Sequence, residues 1–122
     1  MTNRGLFLDD ERPIHLVYQN RISKFSEWDT VKSPREFIKK LDDAIASNQM
    51  YEVISFDYWL DPRSTVTGMD MLQRMLMVVH ESGLPMPDSL FHTRDAENAK
   101  RMQKVYEDYI SKFNIEVKKV VL

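Results

Sequence analysis

Carboxylate side chains follow two short apolar runs of this sequence. Asp9 and Asp10 come directly after Gly5–Leu8, and Asp57 comes directly after the run 51–56. Three carboxylates in one place repel each other unless a cation joins them, and hard oxygen ligands suit Mg²⁺. The spacing therefore predicts a weak Mg²⁺ site formed by Asp9, Asp10 and Asp57.

A histidine, a hydroxyl group and an arginine stand at comparable positions. His92 and Thr93 follow a third apolar run, 89–91, and Arg12 lies next to the first acidic pair. Histidine can act as a general acid, and a guanidinium can bind a phosphate through two parallel hydrogen bonds. We predict that His92, Thr93 and Asp57 are catalytic and that Arg12 and Thr93 bind a substrate phosphate. Because a metal and an acid act on different phosphate oxygens, we expect His92 to face the carboxylates across a gap that holds one phosphate.

Other polar and sulfur-containing residues have commoner structural explanations. A single acid after a strand is usually a turn residue or a helix cap, and we interpret Asp61 and Asp70 in this way. His15 and His80 are expected to make structural hydrogen bonds. The methionines of the segment 69–77 are expected to pack in the core or at an interface.

Apolar runs alternate with helix signals along the chain. The segment 33–36 combines an N-cap serine, a first-turn proline and a capping-box glutamate. A second predicted helix spans 69–79 and ends at Gly83, and Asp95 caps a third. The pattern between 14 and 32 is the least regular part of the chain. The predicted strands are 5–8, 28–31, 51–56, 89–91 and 115–122.

This alternation implies right-handed crossovers and an α/β fold. We predict one domain over residues 1–122, with a five-stranded, mainly parallel sheet and helices on both faces. In an open parallel sheet, ligands bind outside the carboxyl ends of the strands. The polar residues that follow the predicted strands should therefore meet at one edge of the sheet.

The composition argues against several classes of protein. The 122 residues suit one domain, and the net charge of −2 is not that of a general binder of nucleic acid or anionic membranes. The absence of cysteine excludes disulfides, thiol nucleophiles and thiolate zinc sites. No apolar run approaches the roughly 20 residues that cross a membrane, so we expect a cytoplasmic protein without a membrane partner.

Two sets of residues resemble motifs of known domain families. Asp9, Asp10, Asp57 and Thr93 match, in order, the acidic pair, the phosphoacceptor aspartate and the hydroxyl residue of two-component receiver domains. The lysine that receivers carry after their fifth strand has no counterpart, which makes a phosphorylated receiver the weakest interpretation. The candidates for it, Lys118 and Lys119, lie inside the last predicted strand.

A narrower resemblance fits better and covers nearly the whole chain. The opening octet Leu6–Pro13 is similar to the first motif of the cyclic-phosphate processing receiver-like domains. The pairs Thr67-Gly68 and His92-Thr93 are similar to two further motifs of that family. The resemblance implies a receiver-like (flavodoxin-like) three-layer sandwich and a Mg²⁺-dependent phosphoester site for cyclic phosphates, such as the 2′,3′-cyclic end of cleaved RNA. It also implies that Thr67 contacts the substrate phosphate, and that the partner is a nucleotide or RNA end in a bacterial or phage-infected cell.

One motif departs from the family pattern. Where the family has Asp-His-Asp-Leu-Gly, this chain has 57–61 with aromatic residues at Tyr58 and Trp59. The alternative function is therefore a catalytically weak or inert module that binds a protein partner, as a phage-encoded inhibitor does. The apolar helix 69–79 and Trp59 favour that alternative. A tryptophan in a pocket can stack on a base, whereas one on an outer face favours a protein partner.

Overall fold

Strands and helices alternate along the chain. The computed structural model describes residues 4–18, 27–60, 63 and 65–120, apart from the side chains at 15 and 16. The expectations for Asp61 and for the side chain of His15 lie outside the described residues. The elements are β1 (Arg4–Leu8), α1 (Ile14–Tyr18), β2 (Glu27–Val31), α2 (Pro34–Ala46), β3 (Val53–Phe56), α3 (Gly68–Ser82), β4 (Asp88–Phe91) and α4 (Ala96–Lys112).

The strands of the described residues form one parallel sheet in the order β2-β1-β3-β4. β1 lies between β2 and β3, so that Leu6 stands opposite Asp29 on one side and Ile54 on the other. Both central strands are almost entirely buried, as is typical of parallel strands covered on two faces. The predicted α/β fold with a parallel sheet is confirmed, and the uncertain segment 28–31 belongs to the edge strand β2.

The prediction of a fifth strand is wrong for the part of the segment that the structure describes. Residues 115–120 form no strand, while 121–122 lie outside the described residues. The N–H of Val120 donates to Oδ2 of Asp88 at 2.8 Å instead of to the backbone of β4. The N–H of Ser89 donates to Oδ1 of the same carboxylate at 2.9 Å. Because a side chain binds these two backbone donors, they are not available for a ladder between β4 and this segment.

One face of the sheet, here called the helical face, packs against the three long helices. Leu6 and Leu8 of β1 and Ile54 and Phe56 of β3 are fully buried there. No helix among the described residues is long and apolar enough to cross a membrane. The helical residues of this core include Phe37, Leu41, Leu72, Met75, Leu76 and Met102.

The predicted helix ends agree with the structure. Ser33 Oγ accepts the N–H of Glu36 at 3.1 Å at the start of α2. Asp95 accepts two backbone N–H groups at the start of α4. Gly83 ends α3 with φ of 77°, a left-handed conformation that glycine adopts without strain. Of the methionines in α3, two are buried, Met71 and Met75, and one is 51% exposed, Met77.

The other face of the same strands, here called the opposite face, carries more polar groups and is covered by α1. Phe7 of β1 and Ser55 of β3 project to it, because successive residues of a strand point to opposite sides. The ring of Tyr18 packs edge-on against Phe7, with 6.1 Å between the centroids. Trp28 lies over Gly5, where a Cβ would come within 2.5 Å of the indole ring. Glycine therefore lets the indole lie close to the strand.

Candidate functional site

The predicted site residues follow directly on the strands of the sheet. The N–H of Asp57 donates to the carbonyl of Leu8 at 3.0 Å, and the N–H of His92 donates to the carbonyl of Phe56 at 3.0 Å. These bonds extend the ladder by one residue and so fix where the side chains begin. One carboxylate oxygen from each of Asp9 and Asp57 and one ring nitrogen of His92 all lie within 4.8 Å of one another. The strand ends thus form one cluster, as the parallel sheet requires.

Asp9 is the most constrained member of the cluster. Its side chain is buried, and Oδ1 accepts the backbone N–H groups of Glu11 and Arg12, each at 2.9 Å. Oδ2 accepts Nε of Arg12 and Nε2 of His92, each at 3.1 Å. Burial alone raises the pKa of Asp9, but the hydrogen bonds from His92, Arg12 and Glu11 outweigh burial and lower the pKa to about 2. Asp9 is therefore an ionised carboxylate with four N–H donors around it.

Arg12 supplies a positive charge between the two buried carboxylates. Its Nε binds Asp9, and its Nη2 lies 4.0 Å from Oδ1 of Asp57. Nη2 also donates to the carbonyl oxygen of His92 at 2.9 Å. The guanidinium therefore links the ends of β1, β3 and β4, and its side chain remains 20% exposed.

Asp57 and Asp10 are less neutralised than Asp9. Burial and the charge of Asp9 raise the pKa of Asp57, although His92, the N–H of Tyr58 and Arg12 act in the other direction. Oδ1 of Asp57 accepts the N–H of Tyr58 at 2.9 Å. Burial and the neighbouring carboxylates also raise the pKa of Asp10. The charges of Asp9 and Asp57 help to raise the pKa of Asp10. The cluster of possible ligand atoms among the described residues contains Asp9, Asp57 and His92, without Asp10.

His92 contacts Asp9 directly, without the gap for a phosphate that we expected. Its side chain is only 2% exposed, and its ring stacks on Phe7 with 4.4 Å between centroids and 11° between planes. Nε2 faces Asp9, while Nδ1 lies 2.7 Å from Oγ of Ser55. The hydroxyl of Tyr18 bonds to the same serine oxygen. The ring reaches Asp9 because it lies flat against the opposite face of the sheet.

Ser55 and Tyr18 also contact the site, and neither was predicted from the sequence. Ser55 is the one polar residue in the strand Val53–Phe56, and it is completely buried. A lone serine inside a buried apolar strand needs a hydrogen-bond partner, and that signal was present in the sequence. Tyr18 gave no such signal, because it lies in the short segment whose pattern was least regular.

The two threonines differ in their surroundings. Thr93 Oγ1 accepts the N–H of Asp95 at 3.3 Å, next to the start of α4. Thr67 is the N-cap of α3, and its N–H and hydroxyl both donate to Oδ2 of Asp70, at 2.8 and 3.3 Å. Thr67 and Asp70 therefore form a helix cap, as expected for Asp70. His80, another residue with an expected structural role, has Nδ1 3.1 Å from the hydroxyl of Tyr109.

Gly68 brings the start of α3 against the strand end that carries Asp57. Its N–H donates to the carbonyl of Tyr58 at 2.7 Å. A Cβ at position 68 would lie 1.7 Å from the carbonyl oxygen of Asp57. The Thr67-Gly68 pair thus has a packing explanation as well as the phosphate-binding role that we predicted for Thr67.

The arrangement fits a divalent cation only in part. The four N–H donors of Asp9 use the acceptor positions of both its oxygens. Oδ2 of Asp57 accepts no hydrogen bond from the described residues, so Asp57 can offer an oxygen to Mg²⁺ as the structure stands. Asp9 can join such a site only if Arg12 or His92 gives up its bond to Oδ2.

The fold and the cluster define the class of domain. A parallel sheet in this order, with aspartates after β1 and β3 and a hydroxyl residue after β4, is that of a receiver-like α/β domain. The model of the cyclic-phosphate processing receiver domain family matches residues 4–108, and the chain belongs to this family.

The remaining comparisons add little. A solved structure described as the signal receiver domain of a Luxo repressor protein from Vibrio parahaemolyticus is similar to this chain. The two share 12% identity over 93% of this chain and 94% of the other, with a TM-score of 0.45. No curated protein matches the chain.

Proposed function

We propose that this protein binds a cyclic phosphate ester, such as the 2′,3′-cyclic end of RNA, at the Asp9–Asp57–His92 cluster and opens the ring by hydrolysis with Mg²⁺. The observation that carries the proposal is the guanidinium of Arg12 between two buried carboxylates at the carboxyl edge of the sheet. Membership of a cyclic-phosphate processing family supports the choice of substrate.

Arg12 is suited to hold a phosphate oxygen. A guanidinium has five N–H donors, and the contacts with Asp9 and His92 use only two of its nitrogens, Nε and Nη2. The partly exposed side chain leaves Nη1 for a ligand. Thr93 uses its oxygen as an acceptor towards Asp95, which leaves the hydroxyl hydrogen to donate to the same phosphate.

A cation is needed because the site carries more negative than positive charge. Asp9, Asp10 and Asp57 carry more negative charge than the guanidinium of Arg12 can offset, so an anionic phosphate would meet net repulsion. Mg²⁺ held by Asp57 with Asp10 would polarise a phosphate oxygen and offset this charge. Oδ2 of Asp9 is already bonded to Arg12 and His92, so Asp9 is not used as a ligand in this proposal.

His92 has a different role in this proposal from the general acid of the sequence-based prediction. Both ring nitrogens are hydrogen-bonded within the protein, and the ring is nearly inaccessible. His92 therefore acts through Asp9, which it holds in place, and not by touching the substrate.

Hydrolysis of 2′,3′-cyclic nucleotides in the presence of Mg²⁺ tests the proposal. Asp57→Asn should lower the rate about 100-fold or more, since it removes an anionic ligand at the reacting phosphate. Asp43→Asn is the matched control, because Asp43 is an exposed aspartate of α2, and this variant should keep the native rate. Absence of hydrolysis by the native protein, with and without Mg²⁺, would overturn the enzymatic proposal.

A protein-binding module is the second candidate function, and the exposed Trp59 favours it. Trp59 is 61% exposed and packs edge-on against Tyr58, with 4.7 Å between the ring centroids. An exposed tryptophan is a common anchor of protein interfaces. If a 2′,3′-cyclic nucleotide leaves Trp59 fluorescence unchanged and is not hydrolysed, the protein-binding function becomes the better proposal.

A further inference from the structure

Ser55 is a polar residue in a strand that is otherwise apolar, and it belongs to a series of hydrogen-bonded side chains on the opposite face of the sheet. Ser55 is fully buried between the apolar neighbours Ile54 and Phe56. A buried hydroxyl without a partner destabilises the folded protein, so the hydrogen bonds of Ser55 must be accounted for. Both of its hydrogen-bond partners lie on the opposite face of the sheet.

Four side chains are connected end to end. The hydroxyl of Tyr18 bonds to Oγ of Ser55, and that oxygen lies 2.7 Å from Nδ1 of His92. Nε2 of His92 lies 3.1 Å from Oδ2 of Asp9. The partners are 37 and 83 residues apart in the sequence, so only the fold brings them together.

The direction of every hydrogen bond follows from the charge of Asp9. A carboxylate surrounded by four N–H groups can only accept, so Nε2 of His92 must carry a hydrogen. In a neutral ring Nδ1 then has no hydrogen and accepts from the hydroxyl of Ser55. The oxygen of Ser55 is in turn free to accept from Tyr18. All the donors of the chain point towards Asp9.

We propose that Ser55 and Tyr18 are positioning residues of the site, whose hydroxyl groups hold His92 as its Nε2–H tautomer so that His92 holds the carboxylate of Asp9. Phe7 fixes the plane of the ring by stacking, but stacking does not distinguish the two nitrogens. Asp9 requires a hydrogen on Nε2, and the hydroxyl of Ser55 reinforces this tautomer by donating to an Nδ1 that carries no hydrogen. The positioning role rests on the proposed function, whereas the tautomer does not.

A nucleophilic role for Ser55 does not fit these contacts. Serine, histidine and aspartate occur together in hydrolytic triads, where the serine is exposed to substrate. Here Ser55 is 0% exposed and lies on the far side of the imidazole from Asp9. Its hydroxyl can orient the ring but cannot reach a phosphate.

The test is the ring ¹⁵N–¹H correlation spectrum of His92 at alkaline pH, in native protein, Ser55→Ala and Tyr18→Phe. The native spectrum should show the Nε2–H tautomer alone. Asp9 still favours a hydrogen on Nε2 in Ser55→Ala, but without the donor to Nδ1 a measurable share of the Nδ1–H tautomer should appear, and Tyr18→Phe should give a smaller change in the same direction. Ser89→Ala is the matched control, because Ser89 is a buried serine of β4 outside this chain of hydrogen bonds, and its spectrum should match the native one.

Two results would overturn the proposal. One is a native His92 that carries its hydrogen on Nδ1, and the other is a folded Ser55→Ala protein with the native tautomer pattern. If the native protein hydrolyses cyclic nucleotides, Ser55→Ala should also lower kcat about tenfold with little change in KM. A native protein without hydrolysis would defeat the proposed function, and the spectra would still decide the tautomer.

Discussion

The helical face and the opposite face are formed by alternate residues of the same strands. The helical face forms the apolar core, and the opposite face orients the candidate site. On the helical face Leu8, Ile54 and Phe56 belong to the buried apolar core. On the opposite face Phe7 and Ser55 lead to the imidazole of His92 instead. A shift of one position along a strand therefore separates residues that stabilise the fold from residues that orient the site.

The two faces should differ in how much each side chain contributes to stability. Removal of a fully buried aromatic ring loses both its transfer free energy and its packing contacts. Removal of a hydroxyl whose hydrogen-bond partner is buried costs less, about 1–3 kcal/mol, because the partner is left unsatisfied.

Phe56→Ala should lower the free energy of unfolding by about 3–5 kcal/mol, because Phe56 is fully buried against Phe37 and Phe91. Its neighbour on the opposite face gives the comparison, since Ser55→Ala should cost less, about 1–3 kcal/mol, for leaving the buried Nδ1 of His92 without its donor. Urea unfolding followed by circular dichroism measures both. Equal losses in the two variants would contradict the division between the faces.

Gly68→Ala should destabilise the protein by about 3 kcal/mol, the upper part of the range for overpacking. The added Cβ would meet the backbone oxygen of Asp57, which cannot rotate away as a side chain does. Gly83→Ala is the control: nothing lies within 4 Å of its Cβ, and only the left-handed backbone opposes the change, by about 1–2 kcal/mol. Thermal unfolding of the two variants should rank Gly68→Ala as the less stable, and the reverse order would show that α3 can move away from the site.

The free energy of unfolding should fall at acid pH, in part because Asp9 becomes protonated. The pKa of Asp9 is about 2 in the folded protein and 3.8 in the unfolded chain, so its contribution to stability is complete above pH 3.8. That contribution, about 2 kcal/mol, is lost as the pH falls from about 4 to 2. Asp57 acts with the opposite sign, because its raised pKa makes protonation favourable for the folded state.

Urea unfolding at a series of pH values separates these effects. The native protein should lose stability between pH 4 and pH 2, and Asp9→Asn should lose about 2 kcal/mol less over the same interval. An unchanged slope in Asp9→Asn would show that the hydrogen bonds from His92 and Arg12 do not stabilise the ionised form of Asp9.

The smallest expected effect concerns the rim of the site. Thr93→Ala should weaken binding of a 2′,3′-cyclic nucleotide about fivefold, which corresponds to one neutral hydrogen bond of about 1 kcal/mol. Isothermal titration calorimetry measures the affinity, and Thr30→Ala at an exposed position of β2 serves as control. An identical affinity in Thr93→Ala would place the phosphate away from the start of α4.

Local sequence patterns were enough to predict most of the elements. The caps at Ser33 and Asp95 were predicted because each cap bonds within three residues. The segments of Asp9, Asp57 and His92 were predicted to share an edge, since parallel strands place their carboxyl ends together. The strand predicted over 115–122 is absent from residues 115–120, because the local pattern contains no sign that the distant Asp88 binds the N–H of Val120.

Local sequence patterns were therefore sufficient to predict the alternation of strands and helices, the helix caps and the polar residues that follow the strands. Each of these depends on contacts between residues close in the chain or on a regular period of two or 3.6 residues. Three contacts could be seen only in the folded protein. His92 lies against Asp9, and Ser55 and Tyr18 extend the hydrogen bonding from His92. Gly68 packs on the backbone of Asp57. These contacts depend on the order of the strands and on which face a side chain takes. Strand order and the face of each side chain cannot be predicted from one segment of sequence, because packing across the whole sheet determines them.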